Sequence, residues 1–186
     1  MIENTYGSVC SGNMIEECNG TALILDRDCY GITLSANVIA HHLEGGIDLR
    51  DACGCTLSAN TSTIAHRFSV RVAAASERNT ITGNTFCNTY IGAGQDKRPA
   101  EAKTPMGIDE GTGIQLENGV SGLVITGNTF SGLSTEAVWA VGEVKNLLVT
   151  SNLCMDCGRK IAKGKPWLRL PTGASVLIKD NLIPTP

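Results

Sequence analysis

Polar and apolar residues recur along this chain as a repeated phrase. The hexamer "NTITGN" at 79 to 84 returns as "LVITGN" at 123 to 128, with echoes in "ITLSAN" at 32 to 37, "CTLSAN" at 55 to 60, "LLVTSN" at 147 to 152 and "VLIKDN" at 176 to 181. Aligned on the final letter, Asn13, Asn37, Asn60, Asn84, Asn128, Asn152 and Asn181 stand 24, 23, 24, 44, 24 and 29 residues apart. The step of 44 is 24 plus a 20-residue insertion, and the step of 29 is 24 plus five. A period near 24 is the mark of a solenoid, in which each repeat covers the open face of its neighbour.

Within the repeat, the apolar positions predict strands. Three residues before each Asn stand Cys10, Leu34, Leu57, Ile81, Ile125, Val149 and Ile178. Ten and twelve residues after it come Leu23 and Leu25, Ile47 and Leu49, Val70 and Val72, Val138 and Ala140, with Ile114 and Leu116 joining once the insertion is subtracted. Both segments alternate with period two, as short strands with one inward face do. Two or three such strands per 24-residue turn, each pairing with its equivalent one repeat on, make one coil of an all-β parallel β-helix. Parallel crossovers make it right-handed. About seven coils at strand spacing predict a rod roughly 34 Å long. The Asn column is expected at a sharp bend, because Asn tolerates the left-handed conformation and stacked amides bond from coil to coil. A β-sandwich would need no fixed period.

Composition agrees and narrows the partners. Aromatic residues are 4% and Gly numbers 21 among 186 residues, which favours strands and turns over helices. A hydrophobic content of 42% supports one domain spanning 1–186. With 15 basic against 18 acidic residues the net charge is −3, so no basic field favours nucleic acid. No run approaches the ~18–20 apolar residues of a membrane span. The opening "MIENTYGSVC" has neither the charged nor the apolar region of a secretory signal.

The I/L-x-G/S/A-N rhythm over residues 8 to 183 resembles the parallel β-helix repeats of the pectin lyase-like superfamily. That superfamily includes polysaccharide lyases, uronate epimerases and glycoside hydrolases, and also non-catalytic tailspike parts and adhesins. The resemblance implies a carbohydrate ligand across the outer face of one parallel sheet, and an extracellular or periplasmic location. It leaves the reaction open. The residues indicate no cofactor, and the resemblance admits calcium. Members usually run longer, with a helix capping the first coil. Residues 1 to 9 show no such helix, so the chain is expected either to be the C-terminal part of a longer β-helix or to cover its first coil in an oligomer.

Alternation places the outward residues of the second strand in two lanes: Asp48, Arg71, Gln115 and Trp139 in one, and Asp26, Arg50, Ala73 and Glu117 in the other. Arg50 and Arg71 would meet sugar carboxylates, Asp48 and Gln115 hydroxyls, and Trp139 a pyranose ring, with Glu117 also on the binding surface. A lyase or epimerase neutralises a uronate carboxylate and moves the proton alpha to it, for which Arg71 or Arg50 would neutralise and His42 or His66 would trade protons. A hydrolase needs two carboxylates, and Asp26 with Asp48, or Glu117 with Asp48, are the candidates. The same charges also read as surface pairs, Asp26 with Arg50 and Asp48 with Arg71, worth less than about 1 kcal/mol each.

Two insertions enter just before the second strand, at 92–113 and near 158–165. Lys97, Arg98, Lys160, Lys163 and Lys165 on them would overhang an anionic chain, or be solvated loop charges. His42 and His66 stack on successive coils, but no third residue has metal-ligand spacing. "CMDC" at 154 to 157 lacks a second cysteine or histidine pair, so zinc is not expected. The eight cysteines read as small apolar fillers, with Cys29 and Cys53 nearly stacked and the first disulfide to test in an exported protein. The leading reading is a protein acting on or binding an acidic polysaccharide. The alternative is a structural or adhesion module of tailspike type.

Overall fold

The computed structural model describes residues 1–88, 110–158, 160–162, 167–171 and 175–183. Every named element in them is a strand, and every strand pairing is parallel. Each coil visits three sheets in turn. The first sheet stacks seven strands: Ile2–Glu3, Thr21–Asp26, Gly45–Leu49, Phe68–Val72, Thr112–Leu116, Val138–Ala140 and Leu168–Arg169. The second also has seven, from Val9–Ser11 to Val176–Lys179, and the third has six, from Met14–Glu16 to Leu153–Met155. The chain is a β-solenoid of about six complete turns, with a period near 24 residues.

Register makes residues about two dozen apart into neighbours. Cys10, Leu34, Leu57, Ile81, Ile125, Val149 and Ile178 form one unbroken column in the second sheet. Leu23, Ile47, Val70, Ile114, Val138 and Leu168 form another in the first. Away from the ends of the rod, where Cys10 is only partly buried and Ile178 is exposed, both columns belong to one buried core that runs as a narrow strip along the rod. Its widest side chains, Phe86 and Phe130, stack from coil to coil with centroids 5.2 Å apart. Gly113 makes room for them, since a Cβ there would lie 2.6 Å from Phe130 Cδ1.

The Asn column is a continuous amide ladder. Asn60 Oδ1 accepts from the backbone N–H of Asn37 at 3.1 Å and from its Nδ2 at 2.9 Å. Asn60 Nδ2 donates to Leu34 O and to Asn84 Oδ1, both at 2.9 Å. The pattern runs from Asn13 to Asn181. The backbone differs from the expectation at one point. The left-handed residue is the one before each Asn, at Gly12, Ala36, Ala59, Gly83, Gly127, Ser151 and Asp180. The preceding residue absorbs the bend on the outside, which turns the Asn inward, where its amide satisfies buried backbone groups.

Cys29 and Cys53 do not stack. Cys29 pairs with Ala52, and Tyr30 with Cys53. One residue of offset turns the two thiols to opposite faces of the strand. Cys29 is buried with its thiol 3.3 Å from Asp26 O, while Cys53 is half-buried near Ala75 O.

Candidate functional site

The first sheet carries the predicted lanes in register. Asp48 pairs with Arg71, Arg71 with Gln115, Gln115 with Trp139, and Trp139 with Arg169. The last member had no place in the lane read from sequence, because Arg169 lies 30 residues beyond Trp139, across the small insertion. The Asn column gives that coil five extra residues, which would carry the lane to Leu168; the actual step is one residue longer, so a fixed count misses Arg169.

Arg71, Gln115, Trp139 and Arg169 floor a cavity of about 570 Å³ on the outer face of this sheet. Its walls carry Glu44, Arg67, Glu110, Glu136, Lys160 and Ile161. Glu110 is the first described residue after 89–109, and Lys160 and Ile161 flank the second interrupted stretch, so the described ends of both insertions reach one rim. Lys97, Arg98, Lys163 and Lys165 lie outside the described residues. Arg67 Nε stands 3.8 Å from Glu44 Oε2 at the exposed edge. Thr112 and Thr135 bond hydroxyl to hydroxyl at 2.6 Å along the same wall. Glu44, Glu110, Glu136 and Arg67 sit at coil corners, where period-two alternation says nothing about direction.

Asp48 is the pivot of the lanes. Its carboxylate accepts from Arg71 Nε at 2.9 Å, from Arg71 Nη2 at 2.5 Å and from Arg50 Nε at 2.8 Å. The side chain has no exposed surface, so this is a buried cluster covered by two arginines. The bond to Asp48 raises the pKa of the Arg71 guanidinium, which also lies 5.1 Å above the Phe68 ring. Gly45 makes room for that ring, since a Cβ there would collide with it. Asp26 Oδ2 stands 3.8 Å from Arg50 Nη1, and Glu117 Oε1 accepts from Gln115 Nε2 at 2.8 Å. Asp26, Asp48, Arg50 and Glu117 are not among the cavity's lining residues.

His42 and His66 sit inside, at the turn from the third sheet to the first. His42 Nε2 donates to Ile15 O at 3.0 Å, and burial pushes its imidazole pKa down. The backbone N–H of His66 donates to His42 O at 3.2 Å. Both side chains are buried, and neither lines the cavity.

Trp139 and Arg169 form a unit. The guanidinium carbon lies 4.3 Å from the centroid of the Trp139 ring, and Arg169 Nη1 stands 3.1 Å from Glu136 Oε1. The aromatic platform is therefore covered on one face by a cation from the next coil.

A parallel β-helix with a polar cavity on the outside of one sheet defines the class of protein. Within that class, the chain belongs to the family described as "Periplasmic copper-binding protein (NosD)", whose model matches residues 1–154. Membership is consistent with the pectin lyase-like superfamily, and the family's periplasmic description accords with an extracellular or periplasmic expectation. Neither a curated protein nor a solved structure matches the chain.

The family description names copper, which does not fit the expectation of no cofactor. Among the described residues, one group of three has ligand atoms within 4.8 Å of one another: Glu16, Glu17 and His41. His41 Nδ1 stands 3.2 Å from Glu16 Oε1. One imidazole nitrogen and two carboxylate oxygens fit divalent copper by donor type, whereas monovalent copper selects thiolate and thioether sulfur.

Proposed function

We propose that the protein binds an acidic polysaccharide across the outer face of the first sheet, in the cavity floored by Arg71, Gln115, Trp139 and Arg169. The observation that carries this reading is the single-file register of those four side chains, one per coil, along the cavity floor. Cations fixed at both ends of the file, with an amide between them, suit a chain of sugars bearing carboxylates and hydroxyls. The family's fold is compatible with a carbohydrate-related role and with a non-catalytic one.

The geometry favours binding over turnover. Asp48, the hydrolase candidate nearest this floor, is shut away beneath two guanidiniums, and His42 donates to a backbone carbonyl inside the coil. The test is calorimetric titration with alginate, pectate and a neutral glucan. We expect binding to an acidic chain, weakened at least tenfold by Arg71→Lys and by Trp139→Ala. Failure to bind any glycan, or indifference to both substitutions, overturns the reading.

A second reading rests on the family description. His41, Glu16 and Glu17 would hold divalent copper, with the imidazole as the strongest ligand. Titration with Cu(II) followed by electron paramagnetic resonance should show nitrogen hyperfine structure that His41→Ala removes. A signal unaffected by that substitution rejects the assignment.

A further inference from the structure

We infer that Arg169 makes the cavity select carboxylated sugars over neutral ones, an assignment that rests on the glycan reading above. The guanidinium is held from two sides. Its carbon lies 4.3 Å from the Trp139 ring centroid, and Nη1 pairs at 3.1 Å with Glu136, whose side chain is only 4% exposed. Yet the Arg169 side chain is itself 46% exposed and lines the cavity. It is a fixed cation with N–H groups left over.

That placement treats two kinds of ligand differently. A neutral pyranose gains affinity by laying its apolar face on an aromatic ring. Here the guanidinium already occupies one face of Trp139, so a neutral sugar that stacks on that face must displace the cation from its buried carboxylate partner. A carboxylate displaces nothing, because it meets the edge of the guanidinium with charge-assisted hydrogen bonds while the stack stays in place. Arg71, three strands away in the same file, is held in a comparable manner by Asp48 and Phe68. At ~4.8 Å per strand the two cations stand roughly 14 Å apart, so a ligand reaching both must be an oligomer.

The test compares hexagalacturonate with cellohexaose by calorimetry on the full chain. Removing Arg169 alone would strand Glu136, so the variants are the double substitution Glu136→Gln with Arg169→Ala, and the milder Arg169→Lys. Wild type should prefer the acidic hexamer at least tenfold. The double variant should bind it at least tenfold more weakly and bind cellohexaose more tightly than wild type does, with Trp139 emission, read in a Trp167→Phe background, shifting on cellohexaose addition. Arg169→Lys should fall between, since it keeps the charge but loses the planar fork. An unchanged acidic-to-neutral ratio in both variants overturns the Arg169 assignment and leaves the glycan reading standing. If wild type binds neither hexamer, both fall together.

Discussion

Arg71 reaches back one coil to Asp48, Nε to Oδ1 at 2.9 Å, and together with Arg50 it seals that carboxylate from solvent. An exposed pair of this kind is worth less than about 1 kcal/mol, but breaking a buried one leaves a charge without compensation at ~3–5 kcal/mol. Arg71→Ala should therefore cost about 3 kcal/mol in urea unfolding, the low end because Arg50 remains. A loss below ~1 kcal/mol would return the pair to the ordinary surface class.

The amide ladder should weigh most in mid-rod. Asn60→Ala removes the acceptor of Asn37 N and Nδ2 and the donor to Leu34 O, all buried. At ~1–3 kcal/mol for each buried group left unsatisfied, the loss should reach at least about 3 kcal/mol. Asn13→Ala, at the exposed end, should cost no more than about 1 kcal/mol. Equal losses at both positions would show that the ladder carries little of the stability.

Ala36 and Ala59 hold φ of 53° each on exposed corners. A non-glycine residue there is strained by ~1–2 kcal/mol, partly offset in glycine by its greater unfolded freedom. Ala36→Gly and Ala59→Gly should each stabilise by about 0.5–1 kcal/mol. Thermal unfolding that shifts downward in both would contradict this.

Burial lowers the pKa of His42 relative to its unfolded value. The folded state therefore takes up its proton less readily than the unfolded state. This contribution to stability is fully present above the ordinary imidazole pKa of ~6.5 and is lost as pH falls through the folded value. The urea midpoint should drop between pH 7 and pH 5, and His42→Gln should flatten that slope. A variant with the wild-type slope would place the titration elsewhere.

Cys154 lies wholly inside the core, where burial raises its thiol pKa to about 12. At pH 8 only about one molecule in 10⁴ carries the thiolate there. Iodoacetamide on the folded protein should modify Cys53 and spare Cys154 until denaturant is added, as read by peptide mass. Mild oxidation should leave Cys29 and Cys53 unlinked, since their thiols point to opposite faces of the strand. Early alkylation of Cys154 would mean that the third sheet opens locally.

Repetition let the sequence predict the columns Leu34, Leu57, Ile81 and the lane Asp48, Arg71, Gln115, Trp139, because parallel in-register pairing converts a fixed period into contact. The insertions hid Arg169 and Glu110, since a length change breaks a fixed count. The direction of a corner side chain such as Glu136 or His66 was equally illegible, as alternation holds only within a strand.

By itself, then, the sequence determined the solenoid, its period and the order of side chains along each file, all consequences of strand pairing one repeat apart. Only the tertiary structure decided that Asp48 is buried, that Ala36 takes the left-handed turn expected of Asn37, and that Arg169 covers Trp139. Those outcomes depend on how neighbouring coils share space and charge, a competition between contacts that no period encodes.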